Sequence, residues 1–252
     1  MGVVFIGDRE VGKTALATEL ANVKYEYVHV LNQDYEALKR NLSTVDTERF
    51  KATTDIDDRL LEIEVRLPMG ARRIEVEWVD TPGEIWRKSW QEDNASEWQR
   101  FLGLATQSEG IVLLLPPYRE AVAEYEKHLK ESVDLDLFIT RQQWCRRFER
   151  WVDFFSHHCP KARHVAICIN KADLFCDVEQ EVSKLAYHPQ RSRMNWLQRH
   201  TYVYNSYFKP LQPQLIQINK SRSGLSVQCF ITSAYHRPML ELPWIYLASY
   251  LV

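Results

Sequence analysis

The stretch Gly7-Asp8-Arg9-Glu10-Val11-Gly12-Lys13-Thr14 decides how this chain is read. It follows the apolar run Val3-Val4-Phe5-Ile6 and opens a predicted helix from Lys13 to about Asn22. The eight residues fit the pattern GxxxxGK[ST], and the strand–loop–helix setting gives that pattern its chemistry. In such a loop the backbone N–H groups and the helix N-terminus point at anionic phosphate oxygens. Gly7 and Gly12 let the backbone come close with no Cβ in the way. Lys13 can reach the β- and γ-phosphates, and the Thr14 hydroxyl can bind Mg²⁺. Asp8, Arg9, Glu10, Val11 and Ala15 complete the expected phosphate-binding set.

Three further motifs follow, each after a predicted strand. Leu60 to Leu67 and Arg73 to Val79 alternate apolar and polar residues across the turn Pro68-Met69-Gly70, which predicts an antiparallel hairpin. At its end stands Asp80-Thr81-Pro82-Gly83. A carboxylate at Asp80 can hold Mg²⁺, and the Gly83 N–H can sense a γ-phosphate. Asn170-Lys171-Ala172-Asp173 follows the apolar run His164 to Ile169. The Asp173 carboxylate can accept both the N1–H and N2–H of guanine, a donor pair that adenine lacks. The Lys171 stem can lie over the base, and Asn170 can tie this loop to the phosphate loop. Ser233-Ala234 follows Val227 to Thr232, and the Ala234 N–H can donate to guanine O6.

Apolar strands alternating with helices predict a parallel sheet covered on both faces. Gly110 to Leu115 is a fully apolar strand. Helices are expected at Trp86 to Leu104, Glu120 to Lys130, Phe138 to His157, Asn195 to Phe208 and Leu240 to Leu251. Trp144, Phe148, Trp151 and Phe155 form one apolar stripe. Tyr25 to Asp55 reads as a long loop region, with room for a helix. The expected fold class is α/β: a three-layer P-loop NTPase fold in one domain over 1–252, with a mostly parallel sheet, one antiparallel hairpin and helices on both faces.

These four motifs, in this order and each at a strand's carboxyl end, resemble the translation-factor/Ras-like (TRAFAC) class of P-loop GTPases. The resemblance spans Gly7 to about Tyr235, and its motifs cover about 20 residues. It implies a switch that binds GTP and GDP with Mg²⁺ and hydrolyses GTP. It also implies a switch threonine before the hairpin, whose hydroxyl and carbonyl meet Mg²⁺ and γ-phosphate. Thr53 and Thr54 are the candidates, and the spacing favours Thr54 over Thr44 and Thr47. The catalytic set is then Lys13, Thr54, Gly83 and Glu84, and the metal set Thr14, Thr54 and Asp80.

The chain departs from the family pattern in several places. Glu84 stands where signalling members often carry a water-orienting Gln, and a carboxylate is a poor neighbour for developing negative charge. Slow hydrolysis, raised by a partner, is therefore expected. Arg9 and Glu10 replace small residues. Asp80 lies 90 residues before Asn170, and Asp173 lies 60 before Ser233. The excess over a minimal domain of roughly 160–180 residues falls in two insertions, about 118–160 and 176–222. Both are rich in aromatic and basic residues and are expected, with the switch regions, to meet an effector or GAP. Trp86, Trp90 and Trp98 follow Gly83, with the first two placed on one helix face. They read either as a partner surface or as packing on the Trp144/Trp151 stripe.

Bulk composition bounds the alternatives. The chain carries 32 Lys and Arg against 34 Asp and Glu, a formal charge of -2, which gives no drive toward nucleic acid. Arg141, Arg146, Arg147 and Arg150 form a local basic cluster. Hydrophobic residues at 45% and charged residues at 26% exclude a disordered chain. No apolar run approaches the ~18 residues of a membrane span, and Met1 to Ile6 lacks the basic region of a signal peptide. Five cysteines with no CxxC pair point to reduced thiols and a cytoplasmic setting. Only 8 of 252 residues are glycine, well below the usual ~7%, and three fall where a backbone meets phosphate. Two other readings stay open. One is a GTP-dependent interaction module with negligible hydrolysis. The other is an ATPase or kinase of the wider P-loop class, against which Asn170 to Asp173 argues.

Overall fold

The run Gly110–Leu115 forms strand β5, and all six residues are buried. A strand with no polar face needs cover on both sides, which only a layered fold supplies. The structure, a computed structural model, describes residues 2–8, 11–22, 24, 26–33, 57–80, 85–129, 131–221 and 223–251, and not the side chains of 57–59, 80 and 221. The other strands are β1 (Gly2–Gly7), β2 (Val28–Val30), β3 (Asp57–Leu67), β4 (Gly70–Asp80), β6 (His164–Ile169) and β7 (Ser226–Ile231). Together they make one seven-stranded sheet in the order β2-β3-β4-β1-β5-β6-β7. Strands β4, β1, β5, β6 and β7 run parallel. Strand β3 runs antiparallel to both of its neighbours. The fold is α/β and three-layered.

The helices are α1 (Lys13–Ala21), α2 (Lys88–Asp93), α3 (Ala95–Gln107), α4 (Arg119–Tyr125), α5 (Arg141–His158), α6 (Val178–Leu185), α7 (Trp196–Tyr207), α8 (Gln212–Ser221) and α9 (Arg237–Tyr250). Phe5 of β1 stacks on Trp244 of α9, with ring centroids 5.6 Å apart. Gly110 is crowded by Leu247 and Leu251 at the end of the same helix. Helix α1 packs beside α9. Val4 and Ile6 alternate with Phe5 and are equally buried, so the other face is covered too. There α5 packs between α3 and α8. Its predicted stripe of Trp144, Phe148, Trp151 and Phe155 is buried throughout. A Thr140–Gln143 capping box starts α5, satisfying N–H groups that the first turn leaves unpaired.

Strands β5 and β6 fall on the residues that their apolar runs predict. Three expectations need correction. The region 25–55 holds strand β2, which pairs antiparallel with β3, so the sheet has a second antiparallel pair beyond the hairpin. Three residues are too few to show a period in sequence. The single helix expected from Trp86 to Leu104 is two helices broken at Asn94, whose Nδ2 donates to the Trp90 carbonyl at 3.0 Å. Trp86 precedes α2 and shares no helix face with Trp90. The helix expected over Glu120 to Lys130 stops at Tyr125 and tightens into a 3₁₀ turn, Glu126–His128.

A buried ion pair fastens one edge of the sheet. Glu241 of α9 is 1% exposed and pairs with Arg237 Nε at 2.6 Å. Its carboxylate also accepts the N–H groups of Glu26 (3.2 Å) and Tyr27 (2.9 Å). Arg237 donates onward to the carbonyls of Glu19, Leu20 and Val28. One pair thus joins α9, the end of α1 and the start of β2. At the opposite edge, His200 Nδ1 of α7 accepts the Cys229 N–H of β7 at 3.1 Å. Glu241→Ala strands a buried guanidinium, an effect of about 3 kcal/mol or more. At this chain length the melting temperature should fall by about 6–12 °C, measured by circular dichroism.

Candidate functional site

Strand β1 lies between β4 and β5. The chain leaves β1 toward one side of the sheet and returns to β5 on the other. Open α/β sheets bind ligands at such a reversal, outside the carboxyl ends of the strands. The loops after β1, β6 and β7 all emerge at that edge, as does Asp80 at the end of β4.

The loop after β1 is shaped by its two glycines. A Cβ on Gly7 would lie 2.6 Å from the Leu114 carbonyl oxygen of β5. Gly12 adopts φ +88°, and a Cβ there would lie 2.9 Å from Asn170 Nδ2. Gly7 excludes a side chain by contact with backbone, and Gly12 disfavours one by its left-handed conformation. Lys13 is buried and folds back along the loop, its Nζ donating to the carbonyls of Gly7 (2.9 Å) and Asp8 (3.0 Å). Helix α1 begins with the bond from Leu16 N–H to the Gly12 carbonyl, 3.0 Å long. The N–H groups of Lys13, Thr14 and Ala15 lie ahead of that ladder, at the positive end of the helix dipole. Thr14 is exposed, Ala15 half-buried and Val11 buried.

Asn170 joins this loop to the rest of the edge. Its side chain is buried, with Nδ2 donating to the Val11 carbonyl at 2.7 Å and Oδ1 accepting the Thr232 hydroxyl at 3.0 Å. Its own N–H donates to the Leu115 carbonyl at 2.9 Å. The next residue, Lys171, is left-handed at φ 59°, ψ 44°. Among the described residues it is the one non-glycine with positive φ. That turn brings the Ala172 N–H to the Thr232 carbonyl at 2.9 Å. Asp173 accepts the hydroxyl of Ser233, a fully buried residue whose Oγ also accepts the Tyr235 N–H at 3.2 Å. Ala234, next in the chain, is half-buried.

The structure therefore gathers Gly7, Asp8, Val11, Gly12 and Lys13 with Asn170 at one edge. It sets Lys171 and Asp173 beside Ser233 and Ala234. Asp80 ends β4 two residues beyond the paired Phe5 and Trp78. Arg9, Glu10, Thr53, Thr54, Gly83 and Glu84 lie outside the described residues, as does the Asp80 side chain.

One neighbour of the loop escaped the sequence reading. Trp151 of α5 donates from Nε1 to Asp8 Oδ1 at 3.3 Å. Burial raises the Asp8 carboxyl above its ordinary range. Arg147, the Trp151 hydrogen bond, Lys13 and Arg150 each pull it back down. Helical spacing marked Trp151 as core, but spacing gives a face and not the aim of an indole N–H. On its other side Trp151 meets Trp86 edge-on, 4.6 Å between centroids. Trp86 also touches Trp98 and Phe154.

No protein-family model matches the chain, and a search of curated proteins finds no match. Among the described residues no helix is long and apolar enough to cross a membrane.

Asn170→Ala would leave the Val11 carbonyl and the Thr232 hydroxyl without their partner. The expected cost is about 2 kcal/mol, read as a lower urea midpoint at an unchanged slope. An unchanged midpoint would mean that water replaces the amide at no cost.

Proposed function

We propose that the chain is a P-loop GTPase of the translation-factor/Ras-like class, which binds Mg·GTP and hydrolyses it to GDP and phosphate. The observation that carries the proposal is the Asn170 amide, hydrogen-bonded to the Val11 carbonyl and to Thr232. It fastens a phosphate-type loop to a carboxylate-bearing loop, as recognition of one nucleotide by its phosphates and its base requires.

The residues suit that ligand. Glycine at positions 7 and 12 lets the loop pack tightly against Leu114 and Asn170. The N-terminus of α1 has no side-chain cap, so its donors suit an anion. Lys13 needs only a small shift from the Gly7 and Asp8 carbonyls to meet a β- or γ-phosphate. The exposed Thr14 hydroxyl suits a hard cation such as Mg²⁺, with Asp80 supplying a carboxylate. Bound Mg²⁺ would neutralise charge on the phosphate oxygens. Asp173, oriented by Ser233, would accept the two guanine donors, and Ala234 N–H would donate to O6. Thr54, Gly83 and Glu84 would complete the γ-phosphate side, and the two insertions would present partner surfaces in a cytoplasmic setting.

A second reading keeps nucleotide binding and drops catalysis. Glu84 favours it, because a carboxylate opposes the charge that develops in the transition state. Single-turnover hydrolysis with purified chain and Mg·GTP separates the two. The proposal expects slow turnover, and Glu84→Gln should raise it.

Base choice gives a sharper test. Asp173→Asn replaces two acceptor positions with one acceptor and one donor. Guanine then loses a partner for one N–H, while xanthine, with a carbonyl at C2, gains one. Affinity for Mg·GDP should fall about 100-fold and that for xanthosine diphosphate should rise, measured by calorimetry. A wild-type chain that binds ADP as tightly as GDP would overturn the reading.

A further inference from the structure

Core packing accounts for the ring of Trp151 but not for the aim of its N–H. Its neighbours on the buried stripe of α5 include two phenylalanines, Phe148 and Phe155, so ring volume alone does not demand an indole. Trp151 is 1% exposed, yet its one polar atom reaches the loop after β1 and donates to Asp8 Oδ1. Asp8 directly follows Gly7, and its carbonyl holds Lys13 Nζ. The backbone of this residue thus anchors the lysine while its side chain is anchored by α5.

The carboxylate of Asp8 sets an electrostatic problem. A negative charge beside a loop that receives phosphate repels the ligand, most strongly where burial lowers the local dielectric. The structure answers by turning the carboxylate onto α5. There the Trp151 N–H holds it, and Arg147 and Arg150 supply compensating charge. Both arginines lie on the exposed side of the helix.

We propose that Trp151 is a positioning residue of the nucleotide site: its Nε1–H holds the Asp8 carboxylate against α5, away from the incoming phosphates, and so keeps the loop and Lys13 set for a nucleoside diphosphate or triphosphate. This rests on the guanine-nucleotide reading above and adds a control point to it. Any partner that shifts α5 would alter phosphate affinity through Asp8, without touching the nucleotide.

Trp151→Phe removes the N–H and keeps an aromatic ring, though a smaller one. Calorimetric titration with Mg·GDP on wild type, Trp151→Phe, Asp8→Asn and the double variant forms a complete cycle. Trp151→Phe should weaken GDP about tenfold, the loss of one hydrogen bond to a charged group. In the Asp8→Asn background the same change should cost less than about twofold, because the repelling charge has gone. A merely structural tryptophan would lose equally in both backgrounds. That result overturns the proposal, as does a Trp151→Phe chain that binds within about twofold of wild type. If Trp151→Phe melts far below wild type, the joint change Arg147→Gln with Arg150→Gln tests the same point from the helix exterior. It should weaken GDP in the chain that keeps Asp8 and leave the Asp8→Asn background unaffected, and equal losses overturn the proposal. A wild-type chain that binds no guanine nucleotide fails the functional reading itself. Binding without coupling to Asp8 fails this inference alone.

Discussion

The buried amide of Asn170 is the constraint on which the carboxyl edge of the sheet depends. Both ends are satisfied, by the Val11 carbonyl and the Thr232 hydroxyl, and its backbone is tied to Leu115. One residue therefore fixes the relative position of the segments after β1, β5, β6 and β7. A buried amide bonded at both ends specifies geometry far more tightly than apolar contact does. It also bears on the glycine at position 12. The donor atom of Asn170 lies 2.9 Å from where a Cβ would sit, so the bridge and a side chain at position 12 compete for the same space.

The same logic extends to the far end of α1. That helix starts at the turn held by Asn170 and ends at the carbonyls of Glu19 and Leu20, which accept hydrogen bonds from Arg237. Arg237 is held in turn by the buried Glu241. Helix α9, which carries both, begins three residues after Ala234. The element that would present donors to phosphate is thus pinned at both ends. One pin belongs to the loop that follows β6 and the other to the helix that follows β7. Strand β2 owes its place to the same ion pair, since Val28 and Tyr27 both bond to it.

What the sequence revealed and what it hid divide along a physical line. Strands β5 and β6 were legible to the residue, because a continuous apolar run with nothing polar in it has one economical fate. The tie from Asn170 to the loop after β1 was legible because each segment is a local pattern beside such a strand. Strand β2 was not: Val28-His29-Val30 owes its conformation to β3 and to Glu241, both remote in sequence. The break at Asn94 and the place of Trp86 before α2 depend on local hydrogen bonds that composition does not announce. Trp151 is the instructive case. Its face was read correctly from spacing, and its hydrogen bond to Asp8 was missed because a period carries no information about one N–H. Glu241 left a usable clue: an acid in an apolar helix with Arg237 four residues before it.

The electrostatics of the edge follow from these placements. The chain as a whole is nearly neutral, with a formal charge of -2, so attraction for the proposed polyphosphate ligand would have to be built locally. Lys13 would supply it inside the loop, with Arg147 and Arg150 close by on α5. Asp8 lies between these two sources. Left facing the loop, it would cancel much of what Lys13 contributes. Turned onto α5 and held by Trp151, it lies within electrostatic reach of the two arginines, and under the proposed function Lys13 would face the ligand. The ring of the same indole meets Trp86, three residues after Gly83. The first of the two predicted insertions thus reaches this edge through α5. Its principal helix touches the residue that follows the first glycine of the loop, and it touches the chain that leaves the Asp80 motif. A load placed on α5 from outside would reach both segments through a single side chain.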